Sequence, residues 1–124
     1  MDKSTLGKAG EEIAEKFLSS KGYKIIGRNY RMNFGEIDII AKTCDGILVF
    51  VEVKTSLGEG NCGHMPEDNL TRDKLSKFKK IANFYAARNS ELIDEELGWR
   101  IDAVTVVLRS DCSVQKINHY ENVE

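Results

Sequence analysis

The stretch of sequence that decides the fold is GEIDIIAKTCDGILVFVEVKTS, residues 35–56. Two runs rich in Ile, Val and Phe flank a Cys-Asp-Gly turn, and this pattern predicts a β-hairpin. Four charged residues interrupt the apolar runs: Glu36, Asp38, Glu52 and Lys54. Charged side chains in such strands either form a solvated face or mark a functional site.

The turn of the hairpin sets its register. A three-residue loop at 44–46, with its glycine in the left-handed conformation, pairs Thr43 with Ile47. A two-residue Asp-Gly turn would shift the register by one residue and set Asp38 against Val53, and the sequence alone leaves this alternative open. We prefer the three-residue loop because it aligns apolar with apolar and charged with charged side chains.

The preferred register gives the hairpin two different faces. On one face, Asp38 lies opposite Glu52, and Glu36 lies opposite Lys54. Three apolar residues share that face: Ile40, Leu48 and Phe50. The other face is expected to be continuous core, formed by Ile37, Ile39, Ala41, Val49, Val51 and Val53. A face that changes from apolar to charged at one end indicates a pocket at the end of a covered sheet.

The acidic pair of the hairpin suggests a metal site. Two carboxylates directly opposite each other repel, at a cost of about 0.2–1 kcal/mol. Mg²⁺ would offset this cost, since it binds one or two carboxylates and keeps water and phosphate oxygens as its other ligands. Lys54 would reach the same substrate oxygen or the attacking water, which suits phosphodiester cleavage. The alternative is a solvated face with surface ion pairs only, because so short a motif recurs by chance.

The chain before the hairpin contains an amphipathic helix. Apolar residues at three- and four-residue steps predict a helix over 5–21, capped by Ser4 or Thr5 and ended by Gly22. Glu11 differs from the outward-facing acidic residues of this helix because it lies along the edge of the buried stripe.

The remaining elements complete a single α/β (α+β) domain over residues 1–124. The predicted order is α-β-β-β-α-β-β with a mixed central sheet. Its strands are expected at 23–31, 35–41, 47–54, 100–108 and near 114–120. A glycine-rich loop is expected at 56–68 and the second helix at 69–89. A loop as long as 56–68 in a small domain is often functional.

The second helix is basic, and it follows the acidic hairpin by one loop. Residues 71–88 contain six Lys or Arg and one acidic residue. Arg72, Lys74 and Lys77 are therefore candidates for contacts with nucleic-acid phosphates. A solvated helix face is the alternative interpretation. The net charge of −2 argues against binding driven by bulk charge, but acidic residues at 91–96 largely cancel the basic helix in that total.

The cysteines and the amino-terminal sequence indicate a cytoplasmic protein with free thiols. Cys44, Cys62 and Cys112 are an odd number without a CxxC pair, and the chain opens with no signal-peptide pattern. The apolar runs are only strand-sized, so we expect no membrane span. A zinc site at Cys62, His64, Cys112 and His119 lacks a second spaced pair and is not favoured.

Two further possibilities carry little weight. A Ser-His-Asp site has no motif behind it. Trp99 and Tyr120 are expected to be packing residues.

The motifs GKAGEE, GEIDIIA and FVEVK, with Lys74 and RIDAV further on, resemble the YraN-like family of small bacterial proteins over most of the chain. The resemblance implies a restriction-endonuclease-like core of the PD-(D/E)xK type, similar to archaeal Holliday-junction resolvases and RecB-family nucleases. It implies acidic site residues at Glu11, Asp38 and Glu52, and a site lysine at Lys54. It also supports Lys74 as a substrate contact.

The chain departs from the family pattern at two positions. Ser56 stands where many relatives have an arginine, and Cys62 stands where they often have an aromatic residue before glycine. Both positions concern contact with the substrate.

The leading hypothesis is a DNA endonuclease that uses Mg²⁺ or Mn²⁺, held by Glu11, Asp38 and Glu52, with Lys54 supporting the attacking water. A catalytically silent nucleic-acid-binding module and a protein-binding accessory domain are the alternatives. A resolvase-like role on branched DNA would imply a homodimer.

Overall fold

The described part of the chain, residues 2–58 and 71–123 of a computed structural model, forms a mixed sheet with a helix on each side. Its elements are α1 Lys3–Ser20, β1 Lys24–Met32, β2 Gly35–Lys42, β3 Leu48–Leu57, α2 Arg72–Arg88, β4 Trp99–Leu108 and β5 Val114–Tyr120. The strand order is β1-β2-β3-β4-β5. Only the β3–β4 pair of these strands is parallel. The predicted order α-β-β-β-α-β-β and the mixed sheet are confirmed.

Each face of the sheet is covered by one helix. The core on the α1 side consists of Ala14, Leu18, Ile39, Ala41, Val49, Val51, Val104, Val106 and Leu108. The core on the α2 side consists of Ile37, Ile40, Leu48, Phe50, Phe78, Ile81, Ala82, Ala86 and Ile101. Apolar residues on both sides of the central strands explain why β3 and β4 read as nearly continuous apolar runs.

The helix ends differ slightly from the prediction. Helix α1 begins at Lys3 because Asp2 is its cap, with Asp2 Oδ1 accepting a hydrogen bond of 2.8 Å from the Thr5 amide. The predicted cap at Ser4 or Thr5 is therefore wrong. Helix α2 begins at Arg72, after Thr71 caps it, rather than at 69. The predicted loop at 56–68 starts later, because β3 extends to Leu57; its part from residue 59 on, including Cys62 and His64, lies outside the described residues.

The hairpin has the predicted register. Ile40 pairs with Phe50 and Ala41 pairs with Val49. The Thr43 amide donates to the Ile47 carbonyl at 2.9 Å, and Gly46 has a φ of 97°. The three-residue loop is confirmed, since only glycine adopts this conformation without strain.

The alternation of side chains breaks at Asp38. Ile37 and Ile39 would share a face in a regular strand, yet Ile37 packs on the α2 side and Ile39 on the α1 side. The prediction that Ile37 shares the face of Ile39 is therefore wrong. Next to this break lies Asn29 in β1, which stands between the pairs Arg28–Ile39 and Tyr30–Ile37 and has a φ of 52°.

The β2–β3 ladder ends just before the charged residues. Its last pair is Ile39 with Val51. Asp38 Oδ2 instead accepts a hydrogen bond of 2.8 Å from the Val53 amide. The predicted pairing of Asp38 with Glu52 is therefore not formed, because a side chain takes the place of the backbone ladder.

A close approach of helix α1 to β3 depends on Gly10. A Cβ atom at this position would lie 2.7 Å from both Cβ and Cγ2 of Thr55. The absence of a side chain allows the helix axis to come near the strand, and the next residue in the helix is Glu11.

A buried ionic network joins β4 and β5. Asp102 is fully buried and accepts hydrogen bonds from Arg100 Nε at 2.9 Å and from His119 Nε2 at 2.7 Å. Lys21 Nζ lies 2.7 Å from His119 Nδ1. Burial alone would raise the pKa of Asp102, but the hydrogen bonds from His119 and Arg100 outweigh it and lower that pKa. Both ring nitrogens of His119 thus have a partner, Asp102 at Nε2 and Lys21 at Nδ1, and neither nitrogen is free to bind a metal.

The sequence predicts that Trp99 and Tyr120 are packing residues. Trp99 packs on Phe50 with ring centroids 5.2 Å apart, as predicted. Tyr120 is 37% exposed, and its predicted packing role stays a prediction. Cys44 and Cys112 are free and exposed. None of the described helices is long and apolar enough to cross a bilayer.

Thr105 gives a direct test of the core. Its Oγ1 is buried without a hydrogen-bond partner among the described residues. Thr105→Val should raise the free energy of unfolding by about 1 kcal/mol, because it removes an unsatisfied hydroxyl and keeps the shape. Urea denaturation at pH 7 measures this. Thr105→Ser, which keeps the hydroxyl and loses a methyl group, should be destabilising; a loss of stability in Thr105→Val would show that the hydroxyl is satisfied.

Candidate active site

Three charged residues of the hairpin, Glu36, Asp38 and Glu52, line cavities on the two faces of the sheet. On the α1 side they contribute to a cavity of about 250 Å³ lined by Lys8, Glu11, Glu12, Glu15, Arg28, Asn29, Asp38 and Ile39. On the α2 side a cavity of about 180 Å³ is lined by Phe34, Gly35, Glu36, Glu52, Lys74, Lys77 and Phe78. Glu36 also lines a groove on the α1 side with Glu11. Acidic residues of the hairpin therefore lie on both sides of the sheet.

Asp38 has the most perturbed environment of the acidic residues. Its pKa is raised from the ordinary value of 3.8 to about 7. Burial is the main cause, because it disfavours the charged carboxylate. The negative charges of Glu11, Glu52 and Glu36 raise the pKa further, while the hydrogen bond from the Val53 amide opposes the rise. An acidic side chain kept in such surroundings is typical of a functional site.

Glu11 of helix α1 lines the same cavity as Asp38 and is partly buried, in agreement with its predicted position at the edge of the buried stripe. Burial and the charge of Glu36 raise the pKa of Glu11, and the charge of Arg31 lowers it. In the amide orientation that satisfies its neighbours, Asn29 donates to Glu11 Oε1 at 3.0 Å and to Glu36 Oε1 at 3.3 Å. One amide group thus holds two carboxylates of the site.

Glu52 and Lys54 form an ion pair at the α2 side of the sheet. Lys54 Nζ lies 2.9 Å from Glu52 Oε1, and the Glu52 side chain is only 13% exposed. Lys54 was predicted to face Glu36, which instead pairs with Arg31 across β1 and β2 at 3.2 Å. The lysine and the acid two residues before it therefore act as one unit.

The structure brings the predicted acidic residues into one region but divides them between two cavities. Asp38 and Glu11 line the same cavity, whereas Glu52 lies in the neighbouring one. No group of three or more His, Cys, Asp or Glu side chains within residues 2–58 and 71–123 is arranged to hold a metal ion. Electrostatic coupling nevertheless joins Asp38 to Glu11 and Glu52.

Basic side chains surround the acidic region on both sides. Lys8 and Arg28 line the cavity of Asp38, where Arg28 pairs with Glu15. Lys74 and Lys77 line the cavity of Glu52, and Arg72 lies at the exposed start of the same helix. Lys77 Nζ lies 3.7 Å from Asp73 Oδ2, with both side chains exposed. The predicted placement of Lys74 and Lys77 beside the acidic site is thus observed.

Sequence reasoning missed three residues of this region. Asn29 carries a signal in hindsight, because an asparagine inside a predicted strand tolerates the left-handed conformation. Lys8 lies three residues before Glu11 on the same helix, which places both on one side. Phe34 sits in the β1–β2 turn, and its type alone gives no sign of its position.

The fold and the site define a small α+β domain whose acidic residues cluster at one end of a mixed sheet, between two helices. The chain belongs to the Uncharacterised protein family UPF0102, whose family model matches residues 10–106. The predicted membership of the YraN-like family is thereby confirmed.

Relatives from several bacteria match nearly the whole chain. A UPF0102 protein of Dictyoglomus turgidum is 42% identical over 110 residues, which cover 87% of this chain and 86% of the relative. A UPF0102 protein of Desulforamulus reducens is 35% identical over 122 residues, covering 98% and 97%. A third, from Chlorobaculum tepidum, is 43% identical over 119 residues, covering 94% and 84%. The names of these relatives state no catalytic activity.

Among solved structures, the chain matches that of Pyrococcus furiosus SfsA in complex with Ca²⁺. The TM-score is 0.41 and the sequence identity is 21%. The match covers 97% of this chain and spans 64% of the SfsA chain.

Proposed function

We propose that the protein is a metal-dependent nuclease that hydrolyses phosphodiester bonds of DNA. The observation that supports this most strongly is the placement of Asp38, a half-buried acid near carboxylates from α1, β2 and β3. Such a concentration of negative charge opposes folding unless a cation or protons offset it. The proposed ligands of Mg²⁺ or Mn²⁺ are Asp38, Glu11 and Glu52.

The donor atoms fit a hard divalent cation. They are carboxylate oxygens, which Mg²⁺ and Mn²⁺ prefer. Asp38 and Glu11 share one cavity, and Mg²⁺ needs only one or two carboxylates, with water and phosphate oxygens as its remaining ligands. Glu52 would complete the set from the neighbouring cavity. A bound cation would lower the pKa of a water molecule and neutralise charge on the phosphate.

The proposed role of Lys54 is to hold and orient the attacking water. Its ammonium group lies 2.9 Å from Glu52 Oε1, and the Lys54 side chain is 26% exposed, so it is partly shielded from solvent. A positive charge held in this way favours the more basic form of a neighbouring water.

The proposed phosphate contacts come from both helices. Lys8 lies in the cavity of Asp38, and Lys74 and Lys77 lie in the cavity of Glu52. Cationic side chains on both sides of the acidic residues would allow a DNA strand to pass over the end of the β-sheet. Arg72, at the exposed start of α2, would extend this contact along the strand.

The test of the proposal is cleavage of labelled single-stranded, duplex and branched DNA by the purified protein with Mg²⁺ or Mn²⁺. Wild type should cut at least one of these substrates, and Asp38→Ala should reduce the rate by 10²-fold or more, on the order expected for loss of metal-based catalysis. Chelation with EDTA should abolish cleavage. Activity that persists in a preparation of the Asp38→Ala, Glu52→Ala double variant would rule out this site.

Adjacent glutamates of α1 provide a matched control. Glu11→Gln removes a carboxylate coupled to Asp38, whereas Glu12→Gln removes an exposed carboxylate one residue later. Only Glu11→Gln should reduce cleavage. Equal effects of both variants would mean that the general negative charge of α1, not the placement of Glu11, is responsible.

A nucleic-acid-binding module without catalysis is the second candidate. The observation that favours it is that Lys74 and Lys77 are exposed beside a site without three preassembled acidic ligands among the described residues. This candidate predicts binding that weakens steeply with salt, that Lys74→Ala and Lys77→Ala reduce, and that needs no metal. Whether the active form is a homodimer stays a prediction, which sedimentation with and without DNA would test.

A further inference from the structure

A pair of aromatic rings stands at the opening of the cavity of Glu52. Phe34 occupies the turn between β1 and β2 and is 36% exposed. Its ring contacts that of Phe84 in helix α2 edge to face, with centroids 5.3 Å apart and planes at 81°. The core does not need this pair, since neither residue belongs to the apolar cluster on that side of the sheet.

The turn packs against helix α2. Gly35, the residue after Phe34, lies beside Ile81, and an added Cβ would be in ordinary van der Waals contact with two of its side-chain atoms at 3.4 Å. Ile81 is fully buried. The turn that carries Phe34 thus contacts the buried face of α2, and the Phe34 ring is supported from one side by Phe84.

The surroundings of the aromatic pair are basic. The Arg88 guanidinium lies 4.7 Å from the centroid of the Phe84 ring. Lys74 and Lys77 line the same cavity as Phe34. The cavity also contains two acidic residues, the proposed metal ligand Glu52 and Glu36, which pairs with Arg31, and Asp73 lies beside Lys77. Aromatic rings interleaved with cations are the arrangement that binds a single strand of nucleic acid.

We propose that Phe34, backed by Phe84 and Arg88, is a stacking platform for an unpaired base of the substrate strand. The inference rests on the proposed nuclease function and adds its substrate class, which is single-stranded DNA or the single-stranded part of a branched or tailed DNA. Bases in a continuous duplex are stacked on their neighbours and are not available to an exposed ring. The cations of α2 hold the phosphates of the same strand next to the acidic residues.

Binding measured without cleavage tests the platform. Fluorescence anisotropy in EDTA, at fixed salt, would compare a labelled single-stranded oligonucleotide with the duplex of the same sequence. Phe34→Ala should weaken binding of the single strand about tenfold, on the scale of one lost base stack, and leave duplex binding unchanged. Phe34→Trp should keep or strengthen single-strand binding, because the stacking surface is retained.

Two controls separate stacking from other effects. Leu97→Ala removes another exposed apolar side chain, 47% exposed and outside this cavity, and should change neither affinity. Lys74→Ala should weaken binding of single strand and duplex alike and reduce the dependence on salt. Equal losses for single strand and duplex in Phe34→Ala, or full affinity in that variant, would overturn the platform.

The same variants distinguish failure of the platform from failure of the nuclease. If Asp38→Ala abolishes cleavage and Phe34→Ala binds as wild type does, the nuclease stands and the platform is wrong. If Phe34→Ala loses single-strand binding while no metal-dependent cleavage is found, the platform stands and the catalytic proposal is wrong.

Discussion

Asp38→Asn should make the protein more stable at pH 8 while abolishing its proposed activity. Asp38 has a pKa of about 7 in the folded protein, against 3.8 as its ordinary value. Folding therefore disfavours the ionised carboxylate, and ionisation of Asp38 lowers the free energy of unfolding. This destabilisation is absent below about pH 4, grows towards pH 7 and is constant above it. An amide of the same size keeps the hydrogen bond from the Val53 amide and carries no charge.

The expected gain for Asp38→Asn at pH 8 is about 2–4 kcal/mol, which corresponds to an increase in melting temperature of roughly 10 °C. Thermal unfolding of wild type and variant at pH 4, 6 and 8 measures it. The difference should be smallest at pH 4 and largest at pH 8. A variant that is less stable at every pH would show that the carboxylate has a partner that favours its charged form.

Divalent cations should stabilise wild type much more than Asp38→Asn. A ligand that binds only the folded protein raises its stability according to its concentration relative to the dissociation constant. Mn²⁺ at pH 8 should therefore raise the melting temperature of wild type and have little effect on Asp38→Asn. An equal rise in both proteins would locate metal binding elsewhere.

Gly10→Ala should be strongly destabilising, although alanine is the better helix former. The added methyl group would lie 2.7 Å from carbon atoms of Thr55 in β3, well inside van der Waals contact. Overpacking of this kind costs about 1–3 kcal/mol and exceeds the gain of about 1 kcal/mol from helix propensity. Because α1 must move away from the sheet, Glu11 should lose its position and cleavage should also fall.

Gly7→Ala is the matched control for this prediction. It is the same substitution one turn earlier in the same helix, and its added Cβ meets no atom within 4 Å. We expect a gain of up to about 1 kcal/mol in the free energy of unfolding, since only the helix propensity changes. Urea denaturation of the two variants measures the difference in sign. If Gly10→Ala were as stable as Gly7→Ala, the close contact with Thr55 would not be present in solution.

The elements of this fold follow from local patterns, which explains why they could be predicted. The turn at Cys44-Asp45-Gly46 sets the register of β2 and β3, and that register is observed. The last strand was expected near 114–120 and runs over Val114–Tyr120. The edge position of Glu11 on α1 follows from helical geometry alone.

The division of the site between two cavities could not be predicted, because it depends on one backbone irregularity. A regular strand would have placed Asp38 and Glu52 on the same face. The alternation instead breaks at Asp38, beside the positive φ of Asn29 in the neighbouring strand, and Asp38 lines the α1 side while Glu52 lines the α2 side. The side chain of Asp38 then binds the Val53 amide, which no pattern within the hairpin indicates.

The irregular course of β1 has a further consequence for contacts between molecules. β1 is an edge strand of the sheet that residues 2–58 and 71–123 form, so within this part of the chain one row of its backbone groups has no neighbouring strand. A flat edge of this kind is a template for aggregation, and natural proteins interrupt it with bulges, twists and basic side chains. β1 has a register shift between Ile25 and Gly27 and the positive φ at Asn29. The irregular strand that places the Asn29 amide on Glu11 and Glu36 is therefore also a poor partner for strand addition by a second copy.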